Sequence, residues 1–195
     1  GIGIGRGAME AFIASVRDRI VVADEAYMDF FGESLVPLTK KYGNLLVVRT
    51  FSKSYSLAGM RCGYAVGAPA LIGGLFRMKD CFNSYPGDAV AEAVCIAALS
   101  DEAYHADTVA RIVAERTRVR AELLKMGFTV PESKANFLFA GRAVKGGKEI
   151  YERLKEAGVL VRFWDKPVLR DFCRITVGSP AENDILIKQL HQILL

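Results

Sequence analysis

The chain has 195 residues, of which 51% are hydrophobic and 25% are charged. This composition is typical of a globular protein with a sizeable core, and it excludes intrinsic disorder. The net charge of +4 is small and the basic residues are scattered, so the composition does not indicate a nucleic-acid-binding protein. No apolar run approaches the roughly 18 residues that a membrane-spanning helix needs.

The positions of the cysteines and histidines indicate whether the chain is held by disulfides or binds a metal ion. The four cysteines lie far apart without a Cys-x-x-Cys pair, which favours reduced thiols in a cytoplasmic protein over a disulfide framework. The two histidines, His105 and His191, are remote from each other in the sequence and form no ligand cluster. We therefore expect no bound metal ion.

The first third of the chain alternates helix and strand patterns. The spacing of apolar residues predicts a helix over 9–19, and the run at 20–23 is apolar and β-branched, as in a strand covered on both faces. A loop with a short helix is predicted over 30–41, and further strands at 44–49 and 63–67. Strands separated by long connections indicate an α/β fold built on a mostly parallel sheet.

The rest of the chain is first helical and then mixed. After Gly127, short strand patterns indicate a smaller α+β lobe. We place the domain boundary inside the long helix predicted at 102–126. The first domain then covers 1–105 and the second covers 106–195. Helices are predicted at 69–79, 88–99, 102–126, 149–157 and 181–195, and strands at 128–130, 136–140, 159–163 and 172–177.

Three side chains near the ends of two predicted strands indicate a cofactor site. Asp24 follows the first strand, Lys53 follows the second, and Arg61 lies eight residues later between two glycines. Ligands of open α/β sheets bind at the carboxyl ends of the strands. A lysine amine can bond the aldehyde of pyridoxal phosphate, an acid can pair its pyridine nitrogen, and an arginine can grip its phosphate. We expect Lys53 to be catalytic, with Ser52 adding a hydroxyl to the phosphate and Tyr27 reaching the phenolic oxygen.

Each of these residues also has an ordinary explanation. Lys53 alone is most simply a solvated surface lysine, Asp24 a turn residue and Arg61 the partner of a surface carboxylate. Tyr27 is equally explained by core packing. Glu25 points to the other side of an extended chain, so we expect it to be structural. Only the occurrence of the three charged residues together favours a cofactor site.

The order and spacing of these residues resemble the fold-type I aminotransferases, and within them the histidinol-phosphate aminotransferase family. Two later arginine-bearing segments, Gly158–Arg162 and Cys173–Gly178, resemble the same family, and so do Asn83–Pro86 and Ala135–Phe137. The shared motifs of the first part are Asp-Glu-Ala-Tyr at 24–27, Ser-Lys at 52–53, Leu-Ala-Gly at 57–59 and Arg-Cys-Gly-Tyr at 61–64.

The resemblance implies a fold and an activity. The fold would be part of a fold-type I large domain with a C-terminal α+β small domain, assembled as a homodimer. The activity would be transamination of L-histidinol phosphate with 2-oxoglutarate in histidine biosynthesis, with pyridoxal phosphate as cofactor. Arg174 would bind the substrate's carboxylate or phosphate, and Arg162 would assist with that phosphate. The resemblance covers about half of the family's length, so we expect an N-terminal half ahead of residue 1.

Other functions remain open at this point. An aminotransferase for aromatic or other amino acids would share the lysine site, so only the substrate distinguishes it. A catalytically inactive fragment of such an enzyme would keep the fold and lack the activity. A simple phosphate- or nucleotide-binding α/β protein is disfavoured, because it gives no reason for Asp24, Lys53 and Arg61 to occur together.

Overall fold

The computed structural model describes residues 1–142 and 146–194, which form two compact units. The first unit is Ile4–Thr108, and the second combines Val109–Leu195 with Gly1–Gly3. The division lies three residues beyond the predicted boundary, and the first three residues group with the second unit instead of the first. Within the described residues, no helix is long and apolar enough to cross a membrane.

The first unit contains a three-stranded sheet with helices before and after it. Three 3-10 helices lie in the connections between its strands, at Met28–Phe30, Val36–Lys40 and Ala58–Met60. Pro69 opens the second α-helix, and the carboxylate of Asp88 caps the third by accepting the Ala91 N–H at 2.8 Å. The α-helices and strands are α1 (Arg6–Ser15), β1 (Val21–Asp24), β2 (Leu45–Thr50), β3 (Gly63–Gly67), α2 (Pro69–Phe82) and α3 (Ala89–Ser100).

The direction of β3 differs from the prediction. β1 and β2 are parallel, with Asp24 beside Val48, but β3 pairs antiparallel to β2, with Thr50 beside Gly63. The predicted sheet is mostly parallel, and β3 departs from that direction because the 51–62 connection contains a single 3-10 turn and no crossover helix. The chain therefore leaves β2 and enters β3 at the same edge of the sheet.

Only one face of the β1–β2 pair is covered within this unit. Val21, Ala23, Leu45 and Val47 are buried and pack with Ile13 of α1. The opposite face carries Val22 and Val48, which are 59% and 37% exposed. The expectation that the first strand is covered on both faces is therefore wrong for the described residues, and Asp24 lies on the exposed face.

The second unit is an antiparallel sheet of order β4–β6–β5, packed against helices. The strand predicted at 128–130 is reduced to one isolated bridge, between Thr129 and Gly141, and the strand predicted at 159–163 is formed only over its last two residues. The last residue of the helix predicted to end at 195 lies outside the described residues. The elements are α4 (Glu102–Lys125), which begins in the first unit, β4 (Phe137–Gly141), α5 (Gly147–Glu156), β5 (Arg162–Phe163), β6 (Phe172–Thr176) and α6 (Pro180–Leu194).

The core of the second unit lies on one face of this sheet. Leu138, Ile175 and Cys173 point from the strands into it and meet buried residues of α4, α5 and α6, including Leu154 and Leu190. Strand side chains alternate between faces, so their neighbours lie on the other side of the sheet. That second face carries aromatic rings and arginines.

A partly buried ionic network centred on Asp29 holds the connections of the first unit. The carboxylate of Asp29 pairs with the Arg49 guanidinium of β2 and accepts the Ser54 hydroxyl. Its second oxygen lies 3.6 Å from Nε2 of His105, whose ring stacks on Tyr55 with 4.0 Å between centroids. Burial, followed by the negative charge of Asp29, raises the pKa of the Tyr55 hydroxyl. Asp29 therefore ties the turn after β2 to the strand itself and to the first turn of α4.

Replacing Asp29 should destabilise the first unit. Arg49 is 18% exposed as a side chain, so Asp29→Ala would leave a largely buried guanidinium with only a distant partner, Glu25 at 3.9 Å. We expect a loss of roughly 2 kcal/mol in the free energy of unfolding, measured in urea by far-UV circular dichroism. Asp18→Ala is the matched control, because Asp18 pairs with Arg19 in full exposure and should cost under about 0.5 kcal/mol. Equal losses in the two variants would contradict a structural role for the Asp29 network.

The buried thiol of Cys173 should make the second unit sensitive to alkali. Burial raises the pKa of this thiol to about 11, from 9.0 in a solvated chain, and the thiol donates to the Gly147 carbonyl at 3.2 Å. The folded state favours the protonated form, so this stabilisation is complete below pH 9.0 and is lost as the pH rises toward 11. Between about pH 8 and about pH 10.5, the chain should lose roughly 1–2 kcal/mol more stability than Cys173→Ala, as urea unfolding would measure. Parallel pH profiles for the two proteins would refute the assignment.

Candidate active site

Lys53 lies in the turn that follows β2. Its carbonyl accepts the Ser56 N–H at 3.0 Å, and the buried Ser54 beside it is anchored to Asp29. The Lys53 side chain is half-buried, with its Nζ 5.5 Å from the ring centroid of Tyr27. The backbone of this turn is thus fixed on both sides of a lysine whose amine lies over an aromatic face.

Asp24 and Glu25 have opposite environments, as the alternation of an extended chain requires. Asp24 is exposed at the end of β1, and one of its carboxylate oxygens accepts the Ala26 N–H at 2.9 Å in a turn. Glu25 is buried and accepts the Leu35 N–H at 2.5 Å and the Ser34 hydroxyl at 2.8 Å. The expected structural role of Glu25 is confirmed, and the carboxylate of Asp24 is accessible from solvent.

Arg61 ends the last 3-10 turn before β3. Its backbone is left-handed, with φ 53°, and its Nη1 donates to the Ala58 carbonyl at 2.9 Å. Of the two glycines that flank it, Gly63 is required by packing, since a Cβ there would lie 2.7 Å from the Arg49 carbonyl oxygen. A Cβ on Gly59 would meet nothing within 4 Å. Gly63 therefore allows the backbone of β3 to lie close to that of β2. The Arg61 side chain stays exposed.

The structure places the predicted cofactor residues of the first unit at one edge of its sheet. Parallel β1 and β2 both end there, and antiparallel β3 begins there. Asp24 closes β1, Ser52 and Lys53 follow β2, and Arg61 precedes β3 by two residues. Ser52 is half-buried and its N–H donates to the Thr50 hydroxyl at 3.1 Å. This edge can thus present an amine, a carboxylate, a hydroxyl and a guanidinium to one ligand.

The two predicted substrate-binding arginines belong to the second unit and lie side by side there. Arg162 of β5 pairs directly with Arg174 of β6, on the sheet face away from the core. The guanidinium carbon of Arg174 lies 5.3 Å from the ring centroid of Phe137 and 5.6 Å from that of Trp164, and Arg162 lies 5.3 Å from Trp164. Within the described residues, Nε of Arg174 is buried without a hydrogen-bond partner.

A cavity of about 330 Å³ opens beside Arg174 in the second unit. Its walls include Phe137, Phe139, Trp164 and Ser133, together with the backbone of Gly1, whose carbonyl accepts the Lys134 N–H at 2.6 Å. An arginine with an unpaired N–H beside an open cavity is suited to binding an anion.

Sequence reasoning missed several residues of these two regions. Asp29, Tyr55 and His105 meet only through the tertiary fold, and no local spacing links them. Trp164 was also missed, although two signals were present. It is the only tryptophan of the chain, and it lies two residues after an arginine already singled out.

The sequence is similar to known proteins along nearly its whole length. The sequence model of the family described as aminotransferase class I and II matches residues 8–190. Histidinol-phosphate aminotransferase 1 of Bradyrhizobium diazoefficiens is 46% identical over 100% of this chain and 55% of that protein. Histidinol-phosphate aminotransferase of Chromohalobacter salexigens is 46% identical over 99% of this chain and 55% of that protein. The chain thus spans about half the length of the curated relatives it matches.

The fold is also shared with solved structures. Histidinol-phosphate aminotransferase from Sinorhizobium meliloti, crystallised in complex with pyridoxal 5'-phosphate, superposes with a TM-score of 0.87 at 26% identity, over 100% of this chain and 54% of that one. The expected fold class, part of a fold-type I aminotransferase, is therefore confirmed. Because the family's sequence model covers nearly all of the chain, the chain belongs to the class I and II aminotransferase family.

Proposed function

We propose that this chain carries the lysine-bearing part of a pyridoxal phosphate-dependent aminotransferase that transfers the amino group of L-histidinol phosphate to 2-oxoglutarate in histidine biosynthesis. The observation that supports the proposal is that Asp24, Lys53 and Arg61 all lie at the same edge of one sheet. The substrate is supported by relatives of that name at 46% identity. Homodimeric assembly, as the family resemblance implies, is part of the proposal.

The residues at this edge fit pyridoxal phosphate. Asp24 uses one carboxylate oxygen in its turn, and among the described residues the other has no partner, so it can accept the pyridine N–H. Arg61 is exposed and Ser52 half-buried, and both can donate to a phosphate. Lys53 would hold the aldehyde carbon covalently, and Tyr27, whose ring lies beneath the Lys53 amine, would contact the phenolic oxygen.

The chemistry divides between cofactor and protein. Pyridoxal phosphate, when bound, supplies an aldehyde that condenses with amines and a ring that withdraws electrons from the substrate's α-carbon. Lys53, with its Nζ free, would act as the general base that takes a proton from the substrate's α-carbon and then as the general acid that donates a proton. Asp24 would keep the ring nitrogen protonated, because a carboxylate stabilises a positive charge there.

The arginines of the second unit would select the substrate. Arg174 lines a cavity, and among the described residues its Nε has no hydrogen-bond partner. A guanidinium can bind a phosphate or carboxylate through two parallel hydrogen bonds. Arg162 adds a second positive charge on the adjacent strand. A pair of cations suits both the phosphate of histidinol phosphate and the carboxylates of glutamate.

Borohydride reduction tests the cofactor site directly. With added pyridoxal phosphate, reduction should leave a pyridoxyl group on Lys53, found by peptide mass mapping, because the fixed turn presents this amine beside groups that hold the ring and phosphate. Lys53→Ala should lose nearly all of the site-specific label. Lys40→Ala, which removes an exposed lysine at the end of a 3-10 helix, is the matched control and should retain it. Labels spread evenly over surface lysines would contradict the proposed site.

Substitution of Arg174 tests the substrate class. Arg174→Lys should lower the affinity for L-histidinol phosphate roughly tenfold or more in calorimetric titration, because an ammonium cannot form two parallel hydrogen bonds with a phosphate. Arg170→Lys makes the same change at an exposed arginine nearby and should have little effect. L-histidinol, which lacks the phosphate, should be affected much less. An equal loss for both ligands would show that Arg174 does not bind the phosphate.

A further inference from the structure

Trp164 stands in an unusual position relative to the two arginines of the second unit. It is the residue directly after β5 and is half-buried. Its ring centroid lies 5.3 Å from the guanidinium carbon of Arg162 and 5.6 Å from that of Arg174. A single indole ring thus contacts both members of a directly paired set of like charges. No carboxylate of the described residues forms an ion pair with either arginine, and Glu132 at the cavity wall pairs instead with Lys134 at 2.6 Å.

This arrangement needs a physical explanation, because like charges opposite each other on adjacent strands destabilise a sheet. A carboxylate would relieve the repulsion, but it would also neutralise the charge and compete with any incoming anion. An aromatic face attracts each guanidinium through its quadrupole and leaves the N–H groups and the full positive charge available. Tryptophan is the most effective aromatic residue for this purpose.

We propose that Trp164 is a positioning residue that holds the Arg162 and Arg174 guanidinium groups side by side, with their charges intact, for the anionic group of the substrate. The inference rests on the proposed function, since it assigns that group to these arginines. It adds a specificity determinant that acts through the arginines and not on the ligand directly. Loss of the ring should therefore weaken anion binding without altering the cofactor residues of the first unit.

The first test uses inorganic phosphate as the probe and calorimetry at constant ionic strength as the readout. Trp164→Leu should weaken phosphate binding roughly tenfold, because two cation–π contacts are lost. Trp164→Phe keeps an aromatic face and should bind within about threefold of the unaltered chain. Rescue by phenylalanine separates positioning from simple filling of space. It also keeps the test decisive if the leucine variant folds poorly.

The second test uses fluorescence without any ligand. Trp164 is the only tryptophan in the sequence, so its emission reports on this one location. Arg174→Met should change the emission intensity, because the guanidinium over the ring is removed, whereas Arg170→Met, an equal loss of charge at an exposed position, should not. Identical emission from both variants and the unaltered chain would overturn the proposal.

The outcomes separate this inference from the function on which it rests. If Arg174→Met abolishes phosphate binding while Trp164→Leu binds phosphate normally, the arginine site stands and the role of Trp164 is refuted. If the unaltered chain shows no phosphate binding, the assignment of the arginines fails, and the inference fails with it. Retention of Lys53 labelling by pyridoxal phosphate in every Trp164 variant is expected, and its loss would show a general folding defect that also refutes a specific positioning role.

Discussion

The antiparallel pairing of β2 with β3 decides where the residues between them lie. The 51–62 connection starts and finishes at one sheet edge, and hydrogen bonds from Phe51 N to Cys62 O and from Leu57 N to Phe51 O close it at 3.2 Å and 3.0 Å. A helical crossover to a parallel strand would have carried the end of this connection to the opposite edge. Because the chain reverses instead, Lys53 and Arg61 lie at the same edge of the sheet. Asp24 lies there too, since it is the last residue of β1, which runs parallel to β2.

Two arginines of the chain differ in the kind of group that balances their charge. Arg49 is matched by the carboxylates of Asp29 and Glu25, and this pairing holds connections and strands together. Arg174 is matched by aromatic rings, including that of Trp164; it lines a cavity, and its Nε has no hydrogen-bond partner in the part of the chain that the structure describes. An ion pair with a carboxylate neutralises the positive charge of the arginine, whereas contact with an aromatic ring leaves that charge available to a ligand. The nature of the partner thus distinguishes a structural arginine from one available to a ligand.

The sequence predicted best what depends on local pattern. The apolar runs at β1 and β2 and the long helices were found close to their observed bounds, and the placement of Asp24 and Lys53 after strands followed from those runs. The antiparallel direction of β3 was not predicted, because strand direction depends on how a connection folds and not on the pattern of the strand itself. Asp29 was missed for a related reason: its partners lie far away in sequence and become neighbours only in the folded chain. Trp164 was missed although Arg162, one of its two arginine partners, lies only two residues before it.

The closed connection between β2 and β3 also limits how this part of the molecule can vary in evolution. Its ends are fixed in register by the Thr50–Gly63 pair, and two of its residues, Ser56 and Arg61, adopt left-handed backbone conformations. Adding or deleting one residue would either shift β3 by one position, which turns its side chains to the opposite face, or break the turn that carries Lys53. Insertions and deletions compatible with function should therefore accumulate in other loops, and the length of this segment should be among the most constant features of the chain's descendants.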